Sequence, residues 1–219
     1  MSTTSKTGIC NLALFHIGSS KSIANLETEE SAEARACRLF YDDVLEEVLK
    51  ARHWPFAKKF TALALVETDP TEEWKYSYRY PSDCLEVRRI IDDLTNQDDL
   101  DYLGGSRAKV LLEGSRIPFV MGQDDQGFLI YTDKQTAQIE YLARVDEVVR
   151  WPADFKMAVS FLLGSYIAPR LTSGDPFRMA DRCFELYMKK LDTSAANVGN
   201  EEQQKPNPDS EFIRTRQGY

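Results

Sequence analysis

The feature that most constrains this chain is its hydrophobic period, which runs near four residues at both ends and drops to two in the middle. From Ser5 to Ile17 the positions Ile9, Leu12, Ala13, His16 and Ile17 recur at helical spacing, and Gly18 follows where a left-handed cap is useful. A longer helix comes next. Thr28, Glu29 and Glu30 suit its start, and Cys37, Phe40, Tyr41, Val44, Leu45, Val48 and Leu49 form its apolar face. It runs into the stretch RHWPFA, where Pro55 lacks an amide hydrogen and disfavours helix at Trp54.

Between Phe60 and Leu142 the alternation is that of strands. Trp74, Tyr76, Tyr78 and Tyr80 share one face, with Lys75, Ser77 and Arg79 on the other. Further strands are expected over Thr61 to Val66, Leu85 to Ile91, Lys109 to Leu112, Phe128 to Thr132 and Ala137 to Leu142. Turns are expected at Gly104-Gly105, at Gly114 and over Gly122 to Asp125. Helical spacing then returns. Trp151-Pro152 opens one helix, with Phe155, Ala158, Val159, Leu162 and Tyr166, and places the proline at its first position. Asp175-Pro176 opens another, with Phe177, Ala180, Phe184, Tyr187, Met188 and Leu191 on a single stripe.

The pattern predicts an α+β chain. Helical pairs from residues 1–57 and 150–193 form one four-helix body, an antiparallel β domain over 58–149 is inserted between them, and 194–219 is an extended tail. The tail has little to fill a core, yet it ends in Phe212, Ile213, Arg214, Arg216 and Tyr219, a set suited to ordering on a partner.

Composition narrows the function. With 42% hydrophobic residues in 219, the core needs no metal or disulfide staple. Cys10, Cys37, Cys84 and Cys183 lack metal-ligand spacing and are expected as free thiols in a reducing cytosol. A net charge of -8 argues against gripping nucleic acid through phosphates, but an acidic lining would let a polyanion slide past. No apolar run reaches the roughly 18 residues of a membrane span, and the first residues do not look like a secretory leader.

The search for chemistry is thin. Nucleophile elbow, zinc-protease and phosphate-loop motifs are missing. His16 falls on an apolar stripe, as a core or boundary histidine does, and His53 has no nucleophile pattern beside it. The acidic stretch from Asp92 to Asp101 fails as a calcium loop, because Leu103 and Val110 stand where oxygen ligands are required. Paired carboxylates at Asp42-Asp43 and Glu46-Glu47 lie on the polar side of a helix and read as a salt-bridged solvent face rather than glycosidase chemistry. The aromatic strand reads as a core face or subunit contact rather than a stacking platform. No catalytic residue, metal site or cofactor is predicted. Trp54, Pro55 and Phe56 are expected as a structural joint.

The order of the segments ICNLALFHIGSSKSIANLE, SAEARACRLFYDDVLEEVLKARHWPFA, WKYSYRYPSDCLEV, WPADFKMAVSFLLGSYIAPRLT and NPDSEFIRTRQGY, which together cover nearly the whole chain, resembles head-to-tail adaptor subunits of tailed bacteriophages. The closest class is the tail tubular protein A family of short-tailed phages. That resemblance implies a non-enzymatic virion protein, made in the bacterial cytoplasm. Twelve copies would form a ring between the portal protein and the tail nozzle protein, with a channel for DNA. It implies portal contact by Phe212, Ile213, Arg214, Arg216 and Tyr219, and loop contacts or channel lining by Asp92, Asp93, Asp98, Asp99 and Asp101. The competing readings are a tail-associated glycan hydrolase resting on carboxylates and the aromatic strand, and a bacterial cytosolic scaffold.

Overall fold

A computed structural model describes residues 5–91 and 117–201 and shows an α+β chain. Helix α1 (Lys6–His16) starts at Ser5, whose hydroxyl accepts the Gly8 amide at 3.1 Å. It ends on Gly18, at φ +74°, with the Gly18 amide bonded to the Phe15 carbonyl and the Ser19 amide to the Leu14 carbonyl, both at 3.0 Å. This is the left-handed cap expected from the sequence. Helix α2 (Ala32–Ala51) is capped by Ser31 and not by Thr28, since the first buried turn begins at Glu33 and Ala34 and the cap must stand just before it. Ser31 accepts the Ala34 amide at 3.2 Å, while Glu29 accepts from the Ser31 hydroxyl at 2.6 Å and from the Ala24 amide at 2.8 Å.

One compact unit comprises residues 5–59, 82–87 and 141–200. Helix α3 (Ala153–Leu171) is its centre: Phe155, Val159, Leu163, Ile167 and Ala168 are fully buried, and the helix packs on both α1 and α2. Its first residue is Ala153, one later than expected, with Pro152 as the cap. Gly164 faces Cys183 and Ala13, and a Cβ there would lie 3.4 Å from Cys183 Sγ and 3.6 Å from the Ala13 carbonyl oxygen, ordinary van der Waals contact.

Helix α4 (Pro176–Glu201) begins at the expected proline, with the Asp175 carboxylate accepting the Arg178 amide at 3.2 Å. Its buried face is Cys183, Tyr187 and Leu191, so Phe177, Phe184 and Met188 from the expected stripe lie outside the core. The backbone stays helical to Glu201 instead of ending near 193, because Ala195-Ala196 favours helix and no proline intervenes before Pro206.

The second unit comprises residues 60–81, 88–91 and 117–140. Strands β1 (Lys58–Ala62), β4 (Cys84–Ile91) and β7 (Gln138–Ala143) form a sheet of order β1-β7-β4, and in each of them the chain passes from one unit to the other. Strands β2 (Leu65–Thr68), β3 (Tyr76–Arg79), β5 (Val120–Asp124) and β6 (Gly127–Thr132) form an antiparallel sheet of order β2-β3-β6-β5.

The single strand expected over 61–66 is thus two strands. The turn expected over 122–125 shrinks to Asp125-Gln126, with Gly122 and Gln123 inside β5, a strand the sequence did not reveal. Gly122 is there for packing: a Cβ would come within 2.3 Å of the Tyr131 ring that covers it. In β3 both Ser77 and Tyr78 are 1% exposed, so the aromatic-in, polar-out pattern gives way to burial on both faces. The expected strand Lys109 to Leu112 and the turns at Gly104-Gly105 and Gly114 lie outside the described residues.

Candidate functional site: two tryptophan corners

The expected joint is one half of a matched pair. At Trp54 the chain turns extended, with φ -103° and ψ 112°, as a residue before proline must, and Pro55–Ala57 forms a single 3-10 turn. The Trp54 indole reaches back to donate to the Val48 carbonyl at 2.8 Å. At the second Trp-Pro, Trp151 is extended likewise, with φ -77° and ψ 131°, and its indole donates to the Val145 carbonyl at 2.9 Å. Each ring therefore satisfies its one polar atom with a backbone oxygen six residues earlier and is otherwise apolar, at 3% exposure.

Both corners close on Phe155 in the first turn of α3. The Trp54, Trp151 and Phe56 rings each lie edge-on to Phe155 at 4.9 Å, and Trp54 and Phe56 are 6.2 Å apart. The sequence points to Trp54, Pro55 and Phe56 as a joint, but it places Trp151 and Phe155 only at the start and on the apolar face of a helix. The signal was present: the dipeptide Trp-Pro occurs twice, each time where helical and strand periodicities meet.

Polar groups of the same unit brace these corners. Asp83 accepts from the Lys59 ammonium at 2.6 Å and from the Tyr141 hydroxyl at 3.1 Å. Burial works to raise the Asp83 carboxyl, and these two bonds outweigh it, leaving it below its ordinary range. Tyr141 is pushed up to about 12 by burial and by Asp83. Arg144 reaches Asp42 and Glu46 on α2 at 2.6 Å each and Asp146 at 3.0 Å, and its amide donates to the Asp83 carbonyl at 2.8 Å. Half of the carboxylate run expected as a solvated face is thus tied to one guanidinium. This set of contacts can hold a chain direction.

The other candidates are placed as follows. His16 stacks on Phe161 at 4.2 Å and meets the Ser160 hydroxyl at 3.2 Å, and burial lowers its pKa. Cys10, Cys37 and Cys183 are buried free thiols, with Cys84 partly buried. A hydrogen bond with Cys37, then burial, pushes the Cys10 thiol far above its ordinary value. An open groove of about 750 Å³ beside α4 is lined by Asp175, Arg178, Asp181, Arg182 and Glu185 among others. Among the described residues, no three His, Cys, Asp or Glu side chains converge as metal ligands, and no helix is long and apolar enough to cross a membrane. Asp92, Asp93, Asp98, Asp99, Asp101, Phe212, Ile213, Arg214, Arg216 and Tyr219 lie outside the described residues. No family model matches the chain, and no curated protein is significantly similar to it.

Proposed function

We propose that the chain is a structural, non-catalytic adaptor subunit of a bacteriophage virion. It would form a ring between the portal protein and the tail nozzle protein and leave a channel through which DNA passes without sequence-specific binding. The observation that carries this reading is the joint. Helices α1 and α2 on one side and α3 and α4 on the other build one helical unit, a β unit is inserted between α2 and α3, and the two places where helix gives way to strand and strand to helix are fixed by tryptophans closing on one phenylalanine. A part whose task is to hold two surfaces in register needs stiffness at that point more than it needs chemistry. The order of segments resembling head-to-tail adaptors supplies the identity of those surfaces.

On this reading the segment from Asn207 to Tyr219 provides the portal contact, with Phe212 and Ile213 as apolar anchors and Arg214 and Arg216 as bidentate donors. The ring has twelve subunits, and its acidic charge, repeated by rotation, repels rather than holds DNA. The test is electron microscopy of the purified protein mixed with the portal encoded by the same genome. A ring added to the narrow end of the portal is expected, and deletion of 207–219 should abolish it while leaving the fold intact. Undecorated portals beside folded protein would sink the proposal.

A further inference from the structure

Cys10 on α1 and Cys37 on α2 are both 0% exposed and lie in one core cluster, where the two helices pack on each other. Their side chains are hydrogen-bonded to one another. The chain that joins the helices is tied to α1 as well. Asn11 donates to the Ile23 carbonyl at 2.8 Å and accepts the Ile23 amide at 2.7 Å, while the Thr7 hydroxyl accepts the Leu26 amide at 3.3 Å. Helix α1, the connection and the start of α2 thus make a loop closed by noncovalent contacts, with the two thiols touching inside it.

We infer that Cys10 and Cys37 are a site of reversible covalent modification, an internal disulfide that ties α1 to α2 when the chain meets a small-molecule disulfide of the glutathione class. In the closed fold, burial and the bond to Cys37 keep the proton on Cys10, so the pair is inert until α1, a helix of 11 residues, lifts away. A thiolate of the pair then attacks one sulfur of the small disulfide, releasing one small thiol and leaving a mixed disulfide. The second protein thiolate attacks the protein sulfur of that intermediate and releases the other small thiol. Two protein thiols have lost two protons and two electrons, and one small disulfide has become two thiols. From hydrogen-bond contact the sulfurs must approach by roughly 1.5–2 Å, which side-chain torsions and a small shift of α1 supply. The bond closes a loop of about 26 residues and so stabilises the helical unit. In a reducing cytosol the exchange runs backwards and the pair stays as thiols. The inference concerns the helical unit alone and stands apart from the adaptor proposal.

The experiment is treatment of the full reduced chain with oxidised glutathione at about pH 8, followed by alkylation in denaturant, intact-mass measurement and peptide mapping. The oxidised chain should be lighter by two hydrogens and should yield one cross-linked peptide pair carrying Cys10 and Cys37. Its urea midpoint should rise by about 1 M and fall back on adding dithiothreitol. Urea below the unfolding transition should speed the reaction several-fold, because it favours the opening of α1. Cys10→Ala and Cys37→Ala should each remove both the cross-link and the rise in midpoint. Circular dichroism shows whether these variants fold, and peptide mapping of the unaltered chain decides the matter if they do not. Thiols that stay reduced in sub-denaturing urea, or that each carry a separate glutathione, overturn the inference. So does a bridge through Cys84 or Cys183, a bridge between two chains, or a midpoint that stays unchanged or falls.

Discussion

The helical unit and the β unit are stabilised in different ways. In the helical unit the buried apolar residues form one continuous cluster from Ile9 to Leu191, and polar groups such as the two indole N–H donors are satisfied inside it. The β unit buries Tyr78, Leu129, Ile130 and Ile139 but leaves Phe60, Leu65, Val120, Met121 and Phe128 each about half exposed. Directed polar contacts add to that smaller core. Arg79 forks onto Asp124 at 2.7 and 2.8 Å, Arg89 meets Glu140 at 2.7 Å, and the Tyr78 hydroxyl lies 2.7 Å from the Lys134 carbonyl oxygen. A unit with a large continuous core can serve as a frame. Both units leave large apolar side chains outside their cores, Phe15, Leu39 and Phe177 in the helical unit among them, so both have surface to give to neighbours.

The largest effect should come from the clamp. Phe155 is fully buried among three aromatic rings, so Phe155→Ala removes a large side chain where rigid neighbours cannot easily close in. A loss of about 3–5 kcal/mol is expected from urea unfolding followed by tryptophan fluorescence. Because Trp54 and Trp151 report on the corners directly, a loss under about 1 kcal/mol would mean the frame does not depend on them, and the contrast between the units would fail.

A smaller effect should come from the β unit. Gly122→Ala puts a methyl group into the Tyr131 ring, but that ring is only partly buried and can swing aside. The cost should be about 1 kcal/mol, and Gly122→Ala with Tyr131→Ala should cost less than the two single changes added together. Strict additivity would show that the glycine serves the strand backbone and not the ring above it.

Legibility from sequence divides along the same line. The helices were readable because each has a long apolar face, and breakers such as Pro55 and Pro176 act locally. The Gly18 cap followed from one residue. The α2 cap lies three positions later than Thr28 because Thr28 and Ser31 are both competent and only packing chooses between them. In the β unit short strands offer few repeats of the period, so Gly122 to Asp125 reads as a turn and the strand over Val120 to Asp124 is not seen: Gly122 imitates a turn glycine when its role depends on Tyr131, remote in sequence. Half of the joint was visible in Trp54-Pro55-Phe56. The rest, Phe155 with Trp151 and the bracing by Asp83 and Arg144, is made of contacts across long stretches of chain that no local pattern encodes.

The smallest expected effect tests whether the helical unit's interior is as closed as its packing implies. His16 sits between Phe161 and the hydroxyl of Ser160, and burial lowers its pKa below the ordinary value near 6.5. The folded state therefore binds the proton less readily than the unfolded chain. Stability from this site is complete above the unfolded value and is lost as pH falls from there through the folded one. Unfolding midpoints in urea should decline from about pH 7.5 to 5.5, and His16→Gln should flatten that slope by removing the titrating ring from the packed position. An undiminished slope in His16→Gln would place the pH dependence elsewhere and would show that water reaches this edge of the core, weakening the claim that the helical unit is the closed partner of the two.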